Sequence, residues 1–204
     1  MEFILLASAH LAAVISPGPD LAVVLRQSVR QGRPAAIATS IGIGSGIFCH
    51  ATFCIVALPW IAGHSGTFYV VLKYAGGTYL FIIGLLALRA KESATFLKSN
   101  SVAKTQRKQA SAFALGFLTN ALNPKALLFF ISVFTLIISP DTSLFVRTIY
   151  GIYLGVATTG YFALLSTILT IPRARTRFQA HQHWLDQLFG VIMITLAIGV
   201  LVSD

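Results

Sequence analysis

Charge is what this sequence has least of. Only 10% of its 204 residues are Asp, Glu, Lys or Arg, and just 6 are acidic. A water-soluble domain normally carries about a quarter charged residues, so a protein dispersed in water is excluded. Cysteine is nearly absent as well. Cys49 and Cys54 sit five apart in one apolar run, on different faces of a helix, and cannot pair with each other. They read as small buried hydrophobes. No HExxH, no GxSxG and no paired aspartates occur, so a metallohydrolase or nucleophilic hydrolase lacks its residues. The chain is not expected to be an enzyme, and no metal or cofactor is called for. A basic leader is missing too: the first apolar stretch opens on Glu2 and reads as a retained helix.

Apolar residues are abundant instead, at 56% of the chain, with a mean hydropathy of +0.80. Lipid is the solvent that suits this composition. Six runs approach the roughly 20 residues a spanning helix needs: Phe3–Leu25, Ala35–Ala62, Phe68–Leu88, Ala110–Ile138, Thr148–Ile171 and Leu185–Val202. The expected fold class is therefore an all-α membrane protein. Gly32 and Pro34 close the first hairpin as a helix stop followed by a new first turn. Gly63 to Thr67 and Ser139-Pro140-Asp141 read as tight turns. One longer connector, residues 91–109, is rich in Lys, Ser and Gln and reads as a solvated linker. It divides a single transmembrane domain, 1–204, into halves at 1–90 and 110–204.

The net charge of +9 does not point to nucleic acid, because the basic residues avoid the apolar runs and do not mix with aromatics on one face. Twelve of the 15 fall in alternate connections: Arg26, Arg30 and Arg33; Arg89, Lys91, Lys98, Lys104, Arg107 and Lys108; Arg173, Arg175 and Arg177. Lys73 and Arg147 lie on the other side, and Lys125 lies within a span. Positive charge marks the cytoplasmic face, so both termini are expected outside.

The runs also echo each other. Ser16-Pro17-Gly18-Pro19-Asp20 interrupts the first run, and Asn120-Ala121-Leu122-Asn123-Pro124-Lys125 interrupts the fourth. Each break falls in the first helix of a three-helix set. The next helix of each set carries glycines four apart, Gly42 and Gly46, then Gly151 and Gly155, a spacing that lets helices approach closely. An odd number of spans per half makes the second half enter from the opposite side. Six helices as two inverted three-helix repeats (3+3) follow, an arrangement found in secondary transporters.

The breaks are where the chemistry is expected. Proline removes a backbone donor and frees carbonyls, and lipid cannot satisfy them, so an irregular segment at this depth faces protein or a polar cavity. Pro17, Gly18, Pro19 and Pro124 form the hinges of the broken helices. Asp20 and Lys125 each follow the last proline of a break. An isolated charge there costs at least about 2.5–3.5 kcal/mol, so such groups pair or line a pathway. Asp20 and Lys125 are candidate substrate-binding and coupling residues, or else a fixed ion pair locking the halves. Asn120, Asn123 and Ser16 are candidate ligand contacts, the two asparagines having helix capping as their plainer role. His50 and His10 are either proton relays or hydrogen-bonded packing residues. Tyr161 and Phe162, or Phe129 and Phe130, either shape a side-chain pocket or face lipid.

Ser-Pro-Gly-Pro-Asp in the first run, the Arg-rich hairpin with Gly32, and Asn-Pro-Lys-Ala in the fourth run together resemble the LysE/RhtB amino-acid exporters. The resemblance covers essentially the whole chain. It implies export of amino acids or close derivatives from the bacterial cytoplasm, across the inner membrane, coupled to the proton motive force. By motif it reaches Pro17, Gly18, Pro19, Asp20, Asn123, Pro124 and Lys125. The family often has Asn where Asp20 stands. The expected mechanism is alternating access, with the two three-helix halves rocking about a zwitterion bound between the breaks. The expected partners are an amino acid, protons and the bilayer. A passive channel for small solutes is the main alternative. A transmembrane thiol–disulfide carrier is disfavoured because both cysteines share one run.

Overall fold

A computed structural model describes residues 1–16, 18–64, 66–89, 109–139 and 141–202. Pro17, Pro140 and nearly all of the expected linker, 91–108, lie outside the described residues. Eight helices are described: α1 Glu2–Ile15, α2 Pro19–Arg30, α3 Arg33–His64, α4 Gly66–Leu88, α5 Gln109–Ala121, α6 Pro124–Leu136, α7 Leu144–Leu169 and α8 Pro172–Val202. No strand occurs among the described residues.

Among these residues, two helical stretches are long and apolar enough to cross a bilayer alone, Arg33–Ala57 and Leu144–Leu169, each with mean hydropathy 1.6. At 1.5 Å rise per residue a 25-residue helix reaches roughly 37 Å, past the ~30 Å hydrocarbon layer. Two further pairs qualify only when each is taken as one bent span: α1 with α2, bent by 52°, and α5 with α6, bent by 55°. Two to four spans follow from length and composition. Tyr74–Leu88 and Asp186–Gly199 are shorter apolar stretches. The basic residues Arg173, Arg175 and Arg177, read from sequence as part of a connection, lie inside α8. Pro172 supplies the first-turn geometry there, and Ala and Arg propagate the helix well.

The helices are apolar outside as well as inside. Ile41, Phe53, Val56, Ile152, Val156 and Leu164 are all exposed, which suits lipid and not water. With no hydrophobic force between helices in lipid, close packing and hydrogen bonds must hold the bundle. Both are visible in α3, which runs along α5 and α7. A Cβ placed on Gly42 would strike the Phe113 carbonyl of α5 and stand 2.7 Å from the Phe117 nitrogen. One placed on Gly116 of α5 would strike the Thr39 carbonyl of α3. The two backbones therefore touch at a reciprocal glycine contact, and Thr39 Oγ1 adds a 3.1 Å bond to the Ala112 carbonyl. On the other side of α3, a Cβ on Gly155 would come 2.5 Å from the Phe48 ring, and one on Gly151 would be 3.3 Å from Ala51. The fourth helix packs chiefly along α8.

Buried hydroxyls mostly bond back to their own helix: Ser28 to Val24, Ser40 to Ala36, Thr135 to Ile131 and Ser166 to Ala163. At the start of the chain, Glu2 accepts from the Ser139 N–H and the Thr142 hydroxyl, tying α1 to the α6–α7 connection. Gly32 sits at φ 78 between α2 and α3, a left-handed position that glycine adopts at no steric cost. Of the cysteines, Cys54 is buried and Cys49 is exposed, so only one of them is the buried hydrophobe expected.

Candidate functional site: a cleft where two broken helices meet

Both breaks are built by the same local chemistry. At the first, Ser16 turns extended (φ −61, ψ 133) while its N–H still bonds Ala12. Gly18 is also extended, and Pro19 begins α2. At the second, Asn123 is extended and its side chain accepts the Lys125 N–H at 3.0 Å, with Pro124 beginning α6. Asn123 thus caps α6. Asp20 and Lys125 consequently hold the same position, the residue after the proline that opens a helix.

Their electrostatic situations are opposite. A helix start carries partial positive charge. The carboxylate of Asp20 is favoured there, while the ammonium of Lys125 is placed against the α6 dipole and needs other partners. Lys125 Nζ donates to Ser16 Oγ at 2.9 Å and lies 4.8 Å from the centre of the Phe189 ring, a cation–π distance. The charges of Asp20 and Asp186 also act on it. Asp186, 8% exposed, is three residues before Phe189 on α8 and shares its face.

Asp20 is held from α5. Asn120, fully buried, donates from Nδ2 to Asp20 Oδ2 at 2.8 Å. Behind it, His50 Nε2 bonds the Asn120 carbonyl at 3.0 Å. The remaining oxygens, Asp20 Oδ1 and Asn120 Oδ1, are buried with no hydrogen-bond partner among the described residues. Two acceptors without a donor are costly unless something supplies N–H groups.

Asp20, Asn120, Asn123, Lys125, Ser16 and Gly18 line one cleft of about 490 Å³, its opening included. Its other walls come from α1, α3, α6 and α7, with Phe129, Phe130 and Phe162 among them and Tyr161 absent. His10 lines it too, bonded through Nε2 to Thr158 Oγ1 at 2.8 Å. His50 does not. Of the glycines, Gly46 meets the site from behind, since a Cβ there would stand 2.6 Å from Asn120 Oδ1. Gly42, Gly151 and Gly155 lie in helix contacts away from the cleft. Sequence reading passed over Asp186, Phe189 and Thr158. Only Asp186 left a signal, a lone acid at the edge of an apolar run.

The chain's likeness to known proteins is consistent along its length. The model of a family described as LysE type translocator matches residues 11–204. The threonine efflux protein of Escherichia coli (strain K12) is 27% identical over all of this chain and 98% of its own length. The threonine efflux protein of Salmonella typhi matches equally, at 27% identity with the same coverage. An uncharacterized membrane protein of Haemophilus influenzae is 25% identical over 91% of this chain and 89% of its own length. No solved structure matches.

Proposed function

The chain belongs to the LysE type translocator family, and from that premise we propose that it exports amino acids or close derivatives from the bacterial cytoplasm. One observation carries the reading. The cleft is lined by Asp20, whose Oδ1 has no hydrogen-bond partner among the described residues, by Asn120, and by Lys125 with its donor Nζ. An α-amino acid is the complement of that set: its ammonium has three donors for the acceptors, and its carboxylate meets a cation at a helix start. Threonine efflux by the relatives supports the same substrate class.

The substrate ammonium takes Asp20 and Asn120, and the substrate carboxylate draws Lys125 Nζ from the Ser16 hydroxyl. Protonation of Asp20 as the ammonium leaves links export to the proton motive force. Alternating access then exposes the cleft to either side in turn. The chain lies in the inner membrane as six spans in two inverted three-helix halves, joined by the basic linker, with both termini outside. The positive-inside bias and the two matching breaks support this topology.

The experiment is amino-acid efflux from overexpressing cells, challenged with a panel of toxic amino acids and analogues. Asp20→Asn and Lys125→Ala are each expected to lose most export at normal membrane level. Unchanged efflux in both would overturn the assigned roles. Export that continues against a gradient until a protonophore is added separates a coupled transporter from a channel.

A further inference from the structure

We infer that the His10–Thr158 pair is the end of the cleft that reads the substrate's side chain, selecting a short amino acid with a side-chain hydroxyl over its aliphatic isostere. This rests on the amino-acid reading of the cleft.

Both residues line the cleft and both are buried, at 4% and 1% exposure. Around them the wall is apolar, formed by Ala13, Val14, Ile47, Phe129, Phe130 and Phe162. The pair is a single polar point on a greasy surface. Packing alone gives no reason for it, because two apolar side chains of the same shape would fill the wall at little or no loss of stability.

Thr158 also departs from the habit of its neighbours. The hydroxyl of Thr159 bonds back to the Gly155 carbonyl at 2.9 Å, as those of Thr39, Ser40, Thr135 and Ser166 do to carbonyls of their own helices. Such a hydroxyl is already engaged within its helix. Thr158 instead reaches from α7 to His10 of α1. The imidazole uses Nε2 for that contact, and Nδ1 has no hydrogen-bond partner among the described residues. A hydroxyl both donates and accepts, so a substrate hydroxyl fits a histidine–threonine pair in either tautomer, and a methyl group does not.

The spacing limits the side chain. His10 precedes Ser16 by six residues, so about 9 Å of helix axis separates them. A short amino acid with a hydrogen bond at each end spans that distance. Phe129, Phe130 and Phe162 line the cleft beside the pair.

Threonine and valine test the assignment, because they differ by hydroxyl against methyl at nearly equal volume. Wild-type protein is expected to export threonine over valine by at least about tenfold in rate at low substrate, within the upper limit of roughly 10⁴–10⁵ for sites built to bond a hydroxyl. Thr158→Val and His10→Leu are expected to bring that ratio towards one, and Thr158→Ser to keep it. Thermal stabilisation of the purified protein by threonine against valine reads the same ratio without transport. Amino-acid export with an unchanged ratio in Thr158→Val and His10→Leu overturns this assignment alone. A wild type that exports no amino acid in the panel overturns the reading it rests on as well.

Discussion

Replacing Asn120 with Leu removes one donor from the centre of the site and keeps the branching of the side chain, though not its smaller volume. Asn120 is fully buried and supplies the 2.8 Å bond to Asp20 Oδ2. Asp20 Oδ1 already has no partner among the described residues, so the substitution leaves the carboxylate with no hydrogen bond from α5. A bond to a charged group contributes about 1.5–3 kcal/mol. At 1.4 kcal/mol per tenfold, that is roughly a 10- to 150-fold loss of export. The contact from His50 is spared, because it goes to the Asn120 backbone carbonyl. Gly46→Ala should act in the same direction but less strongly. Its Cβ would press on Asn120 Oδ1 at 2.6 Å and Cβ at 2.9 Å, moving the amide without deleting it. The assay is efflux of a preloaded radiolabelled amino acid, normalised to membrane protein on an immunoblot. Wild-type efflux by Asn120→Leu at wild-type protein level would refute the reasoning.

The other expectations are simpler. Gly42→Ala drives a methyl into the α5 backbone, whereas Gly160→Ala has nothing within 4 Å; immunoblots should show reduced membrane protein for the first only, and equal levels would contradict the α3–α5 contact. Asp186→Asn removes one of the two carboxylates whose charge acts on Lys125, so apparent substrate affinity should fall severalfold while the maximal rate changes less. Asp186→Glu should restore it, and an unmoved KM would remove Asp186 from the site. A reporter active only in the periplasm, fused after Asp204, should be active, and an inactive fusion would reverse the proposed orientation.

What the sequence made legible was what depends on local chemistry. Two prolines around a glycine, or an Asn-Pro pair, disfavour a continuous helix locally, so both breaks could be placed from the chain alone, whereas the single Pro59 is accommodated within α3. Asp20 and Lys125 stood out because charge inside an apolar run is expensive. Asn123 was open between capping and ligand contact, and the structure has it capping α6 while lining the cleft. Rotation about a helix axis is a tertiary property that an apolar run does not encode. Phe162 faces the cleft and its neighbour Tyr161 is not in the lining, although both belong to one apolar run. Gly116 carried no repeat signal, yet it answers Gly42 across α3 and α5. Asp186 was passed over because a helix continuing through Arg173 to Arg177 cannot be told from a basic loop by charge alone.

The place of α3 has a consequence for how the protein is made. A chain emerges N-terminus first, so α1 to α4 reach the membrane before their partners exist. Until α5 follows, Gly42 lies on an uncovered face and Asp20 lacks the amide of Asn120. Until α7 follows, His10 has no Thr158. These first helices therefore wait as an incomplete surface, and each later helix that arrives closes part of both the bundle and the cleft. Assembly and site formation are one event.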